Sequence, residues 1–410
     1  MLRFAPSPIK DMNLNDLRIA LLNYIVSKQR DEGFIVRIED GDKDKNVEGK
    51  DQEILDTLTL FGIEYSQVVY QSQNVRFHTA MALQLIHEKK AFNCFCSNEW
   101  LEKKKQEAKE ANKPYSYDGA CENLPAELVI DNENPFTVRI KKPQKDNIQE
   151  VDSFVIMNHD KIPTYDFSCA IDDMLSDISL IIRDEKYLNN TLKQEHVRVS
   201  LNYDKKIKYT HMPAIENGDD FSIKKLLEAG YLPEAISNYL ISMFFKTPKD
   251  IFSIEDTIKW FDIENISNSP THFDMEVLKT INKEHLKNMD SKELSRYVGF
   301  ADEEIGELAK IYLTEASTTK ELRSKIEPVF SQKNIPDDIK EEVDLVVKTI
   351  KTAPYFDEYS DFKEYILKEV DLKDENFDMY LKILLTGTKE TPEIEKIYKH
   401  LKNYIGEIIK

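Results

Sequence analysis

The chain has 410 residues, 41% hydrophobic and 32% charged, enough apolar material for a sizeable core and, at about 150 residues per domain, for about three domains. Its 56 Lys and Arg against 75 Asp and Glu give a formal net charge of −19, which excludes holding nucleic acid by bulk positive charge but leaves room for a local basic surface. No apolar run approaches the roughly 20 residues that cross a bilayer, Met1–Pro8 lacks a leader's apolar stretch, and four cysteines build no disulfide scaffold, so a cytoplasmic protein without a membrane partner is expected.

The first sixty residues read as a strand, a helix and a strand. Leu2–Ala5 is a short apolar strand that Pro6, Ser7 and Pro8 break. Leu14, Leu17, Leu21, Leu22 and Ile25 then recur at helical spacing to about Lys28. Gly33 stops that run, and Phe34–Ile38 is dense in β-branched residues. This order implies a parallel pair with a right-handed crossover, and ligands of such sheets lie beyond the carboxyl ends of the strands. Ala5–Met12 and Arg37–Asp40 are thereby placed at the mouth of a site.

Helices follow near Asp51–Phe61 and Val75–Lys90, then an irregular, cysteine-bearing stretch from Ala91 to about Glu150. A second α/β block reads as strand Ser153–Met157, helix Asp166–Leu175, strand Ile178–Arg183 and helix Thr191–Leu201, the other half of one sheet. From Phe221 onward the periodicity is almost wholly helical, as in Leu232–Phe244 and Glu341–Lys351, with mixed Lys and Glu as a solvated face. The expected division is 1–90 and 151–245 as two halves of a catalytic domain, 91–150 as an insertion, and 246–410 as a helical region.

Several segments carry a resemblance. Arg3-Phe4-Ala5-Pro6-Ser7-Pro8, Leu17-Arg18-Ile19-Ala20-Leu21 and Arg37-Ile38-Glu39-Asp40 come first. Pro163-Thr164-Tyr165-Asp166-Phe167 with Asp172-Asp173, then Arg183, Gln194-Glu195-His196 and His211-Met212-Pro213 follow in order. Gly230-Tyr231-Leu232-Pro233-Glu234-Ala235 with Asn238-Tyr239-Leu240 completes the set. Together they resemble a bacterial glutamyl-tRNA synthetase, a class I aminoacyl-tRNA synthetase.

The resemblance implies an α/β Rossmann-like catalytic domain with an insertion on the acceptor-stem side, followed by an all-α anticodon-binding-like region. It implies ATP with Mg²⁺, L-glutamate and tRNA as ligands, and a monomer. The family's glutamate ligands fall on Arg3, Ala5, Ser7, Glu39, Tyr165 and Arg183. A guanidinium fork suits the substrate's side-chain carboxylate, and Glu39 suits its ammonium. The alternative is that Arg3 and Glu39 pair with each other across neighbouring strands.

Two ATP motifs of the family are altered. The His-Ile-Gly-His type motif at the start of the first helix reads Asn13-Leu14-Asn15-Asp16, so an imidazole and a close-approach glycine are both replaced. Ile9-Lys10 stands where a Thr-Gly is usual, and Asp184-Glu185-Lys186-Tyr187 where Gly-Glu-Asp-His is usual. The Lys-Met-Ser-Lys loop is missing: Ala214–Asp220, with its three acids, runs straight into Phe221-Ser222-Ile223-Lys224-Lys225. Lys224 and Lys225 are candidate substitutes, although their spacing fits the start of the next helix. Lys141–Val151 is shorter than in the family.

Cys94-Phe95-Cys96 and Tyr117-Asp118-Gly119-Ala120-Cys121 resemble the zinc site of some bacterial members. Three thiolates with a fourth ligand suit tetrahedral Zn²⁺. Asn123 stands at a plausible histidine position, which leaves Tyr117 or water as the fourth ligand. The alternative is three small buried residues. Cys169 reads as pocket wall, and His78, His87 and His159 as surface or core histidines. The leading expectation is therefore a paralogue that keeps its glutamate pocket and adenylates weakly or not at all. The alternative is an active glutamate–tRNA ligase with an atypical ATP site. The short relative that glutamylates a modified tRNA base is disfavoured, since it lacks the helical region.

Overall fold

The computed structural model describes residues 1–143, 151–267, 269–370 and 372–409. The chain divides into two compact units, one of residues 1–220 with 255–272 and the other of residues 221–254 with 273–410.

In the first unit, β1 (Leu2–Phe4), β2 (Phe34–Ile38) and β3 (Gln67–Tyr70) form a parallel sheet in that order, with Leu2 opposite Phe34 and Ile35 opposite Gln67. α1 (Leu14–Gln29) joins β1 to β2, and α2 (Lys50–Leu60) joins β2 to β3. α1 is buried from Leu14 to Ser27 save a half-exposed Asp16, so its few polar side chains must find partners inside. Asn23 donates to the Ile19 and Ile182 carbonyls, and Arg18 to the Pro213 carbonyl at 2.6 Å.

α3 (Val75–His87) leads into the insertion, which is more ordered than its sequence suggests. β4 (Ala91–Cys94), α4 (Asn98–Glu110), α5 (Ala126–Ile130) and β5 (Thr137–Ile140) follow, and β6 (Phe154–Met157) pairs antiparallel with β5. The strand expected to open the second α/β half thus closes the insertion's own sheet. Its uninterrupted apolar run does not specify which sheet it joins. α4 buries none of its residues, so apolar periodicity could not reveal it; the Ser97 cap marks its start. Most of the Lys141–Val151 segment lies outside the described residues.

α6 (Tyr165–Leu175), β7 (Leu180–Asp184), α7 (Leu188–Ser200) and β8 (Lys208–Met212) form the second α/β half, with β7 and β8 parallel. The halves adjoin where Ser179 donates its backbone N–H to the Met1 carbonyl at 2.9 Å. β9 (Ile215–Glu216) pairs with β10 (Thr271–His272).

The second unit is helical. α8 (Ile223–Glu228) and α9 (Pro233–Ser242) lie before α10 (Ile254–Trp260), which marks its boundary, and α11 (Met275–Asn288), α12 (Ser291–Tyr297), α13 (Glu303–Ile311), α14 (Thr319–Ile326) and α15 (Lys340–Thr352) come after, with further helices to the end. Their starts are written locally. Asp274, Asp290 and Asp302 cap α11, α12 and α13, and Thr318 with Glu321 makes a capping box on α14. On α15, Val343, Val346 and Ile350 form the buried stripe.

α12 and α13 meet at a glycine. A Cβ on Gly306 would stand 1.7 Å from the Ser291 carbonyl oxygen, so the two backbones require hydrogen there. Gly306→Ala, ordinarily favourable within a helix, is expected to destabilise the helical unit by about 1–3 kcal/mol or more through overpacking. Urea unfolding followed by circular dichroism measures it.

Candidate active site

A cleft of about 280 Å³ opens at the carboxyl ends of β1, β2 and β7. Arg3, Ala5, Ser7, Glu39, Tyr165 and Arg183 all line it. The ends of β1, β2 and β7 and the start of α6 bring them together. Glu39 donates its backbone N–H to the Pro6 carbonyl, which holds the Pro6-Ser7-Pro8 turn against the end of β2.

Arg3 and Glu39 do not pair. Arg3 Nε donates to Asp173 Oδ1 at 3.0 Å, and Arg37 Nη1 donates to the same oxygen at 2.6 Å. Arg37 Nη2 reaches Glu39 Oε1 at 3.1 Å. Arg37 and Asp173 are wholly buried. Burial pushes the Asp173 carboxyl up, but Arg37 and Arg3 overcome it and hold it down at about 2. Arg37 was quoted from the sequence only as part of a motif; its role as anchor needs the position of α6, which no local pattern reports.

Arg183, at the end of β7, is fixed by α7 and β8. It donates to Gln194 Oε1 at 2.9 Å, Thr191 Oγ1 at 2.8 Å and the Tyr187 carbonyl at 3.1 Å, and lies 3.4 Å from His211 Nε2. Burial lowers its affinity for a proton, and the Arg3 charge lowers it further. Tyr165 stacks on Tyr187 with centroids 5.9 Å apart. Cys169 sits behind Glu39, its Sγ 3.3 Å from Oε1, and burial pushes its thiol well above the ordinary range. His78 is a core histidine, one of the two readings its sequence allowed, with Nε2 2.8 Å from Asp172 Oδ1. Gln71 and Asn74 also donate to that carboxylate. Its partner comes from a helix 94 residues on, beyond any local spacing.

At the start of α1, Asn13 is the N-cap. Its Oδ1 accepts from the Asp16 N–H at 2.9 Å, and its own N–H donates to Asp16 Oδ2 at 3.1 Å. Asn13 Nδ2 donates to Asp219 Oδ1 at 2.8 Å, and Asn15 Nδ2 reaches the same oxygen at 3.3 Å. Asn15 Oδ1 accepts from the Ile215 N–H at 3.0 Å. Burial raises the Asp16 carboxyl, and Lys10 and Lys186 counter it. These two lysines also line the cleft. The sequence showed them only as departures at family positions. Lys224 and Lys225 lie in the first turn of α8, where Ser222 Oγ accepts from the Lys225 N–H.

In the insertion, the Cys94, Cys96 and Cys121 sulfurs lie within 4.8 Å of one another. Tyr117 Oη is 3.4 Å from Cys94 Sγ and 3.5 Å from Cys96 Sγ, and Cys96 and Cys121 are 3.6 Å apart. A tetrahedral metal with Zn–S of about 2.3 Å sets its sulfurs roughly 3.8 Å apart, so this donor set fits. Gly119, at φ 76°, makes the turn that returns Cys121 to Tyr117. Burial pushes the Cys96 thiol up to about 12. For Cys94 burial is outweighed by Tyr117, the Cys96 backbone and Arg139, which bring it down.

Residues 1–280 match the family of class I tRNA synthetases (E and Q), catalytic domain. The chain is 59% identical to glutamate–tRNA ligase 2 of Sulfurimonas denitrificans and 46% identical to glutamate–tRNA ligase 1 of Nitratiruptor sp., covering 100% of each chain. A solved glutamate tRNA ligase from Elizabethkingia meningosepticum, in complex with its amino acid, shares the fold. Its TM-score is 0.79 at 20% identity, covering 99% of this chain and 97% of that one. The chain belongs to the class I aminoacyl-tRNA synthetases and, within them, to the glutamyl-tRNA synthetase family. No helix among the described residues is long and apolar enough to cross a membrane.

Removing the Asp173 charge leaves Arg37 buried with Glu39 as its one remaining ion-pair partner among the described residues. Asp173→Asn is expected to cost about 3–5 kcal/mol, read from urea unfolding. Because the folded Asp173 pKa is depressed from 3.8 to about 2, its stabilisation is full above about pH 4 and is lost as pH falls toward 2. The acid limb of the melting-temperature profile should flatten in the variant.

Proposed function

We propose that this protein binds L-glutamate in the cleft and forms glutamyl-adenylate weakly or not at all, serving as a glutamate- or tRNA-binding regulatory or scaffold member of its family. The glutamate reading is supported by Arg3 and Arg183 lining one cleft, where burial and the Arg3 charge both disfavour the charge of Arg183. A carboxylate between them relieves that repulsion. Glu39 is the group for the ammonium, and Tyr165, Ala5 and Ser7 shape the wall.

The weak-adenylation reading rests on one observation, the self-capped start of α1. A triphosphate at a helix N-terminus needs open backbone N–H groups and no competing anion. Here Asn13 and Asp16 cap each other, and the Asp219 carboxylate is held by both asparagines. The alignment with the Sulfurimonas relative spans 432 positions against 410 residues here, so the relative has stretches without a counterpart. The relatives' names point to tRNA as the partner, with residues 246–410 on its anticodon side. Cys94, Cys96, Tyr117 and Cys121 are the zinc ligands of this reading, and the metal would stiffen the insertion.

A second reading is an active ligase using ATP with Mg²⁺ at an atypical site. Lys10 and Lys186, which line the cleft beside Asp16, favour it.

Pyrophosphate exchange with glutamate separates the two. The rate should fall at least about a thousandfold below that of an ordinary synthetase. Asn13→His with Asn15→Gly should restore little unless a Lys-Met-Ser-Lys segment is also inserted between Asn217 and Phe221. An ordinary rate in the unmodified chain would establish the second reading, and Lys10→Ala and Lys186→Ala would then lower it.

Calorimetry tests the pocket. Glutamate should bind in preference to glutamine, because glutamine leaves a guanidinium unneutralised in the cleft, and Arg183→Ala should abolish the heat. Equal affinity for both amino acids would reject the pocket.

A further inference from the structure

We infer that Arg139 is the counter-charge of the insertion's thiolate cluster, a positioning residue that sets how tightly Cys94, Cys96, Tyr117 and Cys121 hold a divalent metal. This rests on the zinc reading above and goes beyond it. Arg139 is only 7% exposed, so its guanidinium has left water. Its cross-strand partner is Phe92, which puts it on the face of the sheet that also carries Cys94, two residues along β4. The guanidinium carbon lies 4.3 Å from the centre of the Tyr117 ring, which also stacks on Phe92.

A buried guanidinium needs a negative partner. Among the described residues, Arg139 pairs with no carboxylate. Nη1 donates to the Ser153 carbonyl at 3.2 Å, and Nε is buried without a hydrogen-bond partner. Asp152, the neighbour of Ser153, is engaged elsewhere. It pairs with Lys142 at 3.0 Å and accepts the Tyr117 N–H at 2.7 Å. The negative charge within reach is that of the cysteine cluster. Three thiolates around a divalent metal carry a net negative charge, and a phenolate at Tyr117 adds to it. A fixed cation behind the Tyr117 ring stabilises that loaded, anionic site and leaves a neutral thiol site unaided. Outer partners of this kind typically change metal affinity by about 10–100-fold.

The test uses the full chain loaded with Zn²⁺, its affinity read by competition with a chromogenic chelator, and with Co²⁺, its geometry read from the visible spectrum. Wild-type protein should hold about one Zn²⁺ per chain, consistent with one tetrahedral site. Cys121→Ser should release it. Arg139→Gln should weaken zinc binding by about 10–100-fold, with a tetrahedral thiolate cobalt spectrum where loaded. Arg139→Lys, which keeps the charge but loses the planar fork, should fall between. It also carries the test if Arg139→Gln does not fold. A merely structural arginine would alter the melting profile and leave the affinity of the folded protein unchanged. Wild-type affinity in a folded Arg139→Gln protein overturns the inference while leaving the zinc site standing. Wild-type protein with no zinc and three freely titrating thiols overturns the zinc reading itself.

Discussion

The buried pair of Arg37 and Asp173 is the constraint on which the cleft depends. One carboxylate oxygen on α6 collects Arg37 from β2 at 2.6 Å and Arg3 from β1 at 3.0 Å. The other arm of Arg37 then holds Glu39. Two strands and a helix separated by well over a hundred residues are thereby registered through a single atom. The arrangement is costly in itself, since Asp173 Oδ2 and Arg37 Nε are buried without partners. An ion pair of this kind contributes little net stability, but breaking it strands a charge in low dielectric. Its value lies in geometry: it fixes where Arg3 and Glu39 stand.

Much of the fold was legible because the signals were local. The turn-breaking Pro6-Ser7-Pro8, the apolar spacing of α1 and the β-branched Phe34–Ile38 place the first parallel pair and the mouth of its cleft. The insertion was harder. Its strands are four residues long, and α4 is a largely solvated helix that turns only Trp100 and Leu101 of its large apolar residues toward the cysteine cluster, too short a stripe to betray it. The assignment of Phe154–Met157 to the insertion's sheet is a tertiary choice between two available edges. In the site, Arg3, Glu39, Tyr165 and Arg183 were named through family resemblance and share a cleft. The partners that orient them, Asp173, Gln194 and Thr191, come from α6 and α7 at separations that no periodicity encodes. The sequence allowed an Arg3–Glu39 pair, whereas the chain instead gives each a different partner, because Arg37 lies between them and Asp173 beneath.

The cleft and the insertion follow the same electrostatic rule. In the cleft, the Arg3 charge disfavours that of Arg183, the repulsion that the proposed glutamate carboxylate would relieve. In the insertion, Arg139 is buried with no carboxylate partner among the described residues, beside a cysteine cluster that would be anionic with the proposed metal. Arg183 and Arg139 are each buried without a carboxylate partner among the described residues, on a chain that is acidic overall. Bulk charge hides such sites, because it averages over the solvated Lys and Glu of the helical faces.

The start of α1 shows why substitutions there act together. Asn15 occupies the space that a side chain at position 218 would need. A Cβ on Gly218 would lie 3.0 Å from Asn15 Nδ2 and 2.8 Å from Ile215 Cβ. Asn217, at φ 58°, turns the chain so that Gly218 passes that point and Asp219 faces the two asparagines. Asn13, Asn15, Asn217, Gly218 and Asp219 therefore form one interlocking unit. The Asp16 N–H of the first turn is taken by the Asn13 side chain and cannot at the same time meet an outside anion. Replacing Asn15 by glycine would free the backbone approach but also remove the bonds that seat the Ile215–Asp219 segment. Asp219 would keep its charge and one amide partner, still beside the helix start. The helix start and the facing segment are thus joined by several bonds, which a single change would break only in part.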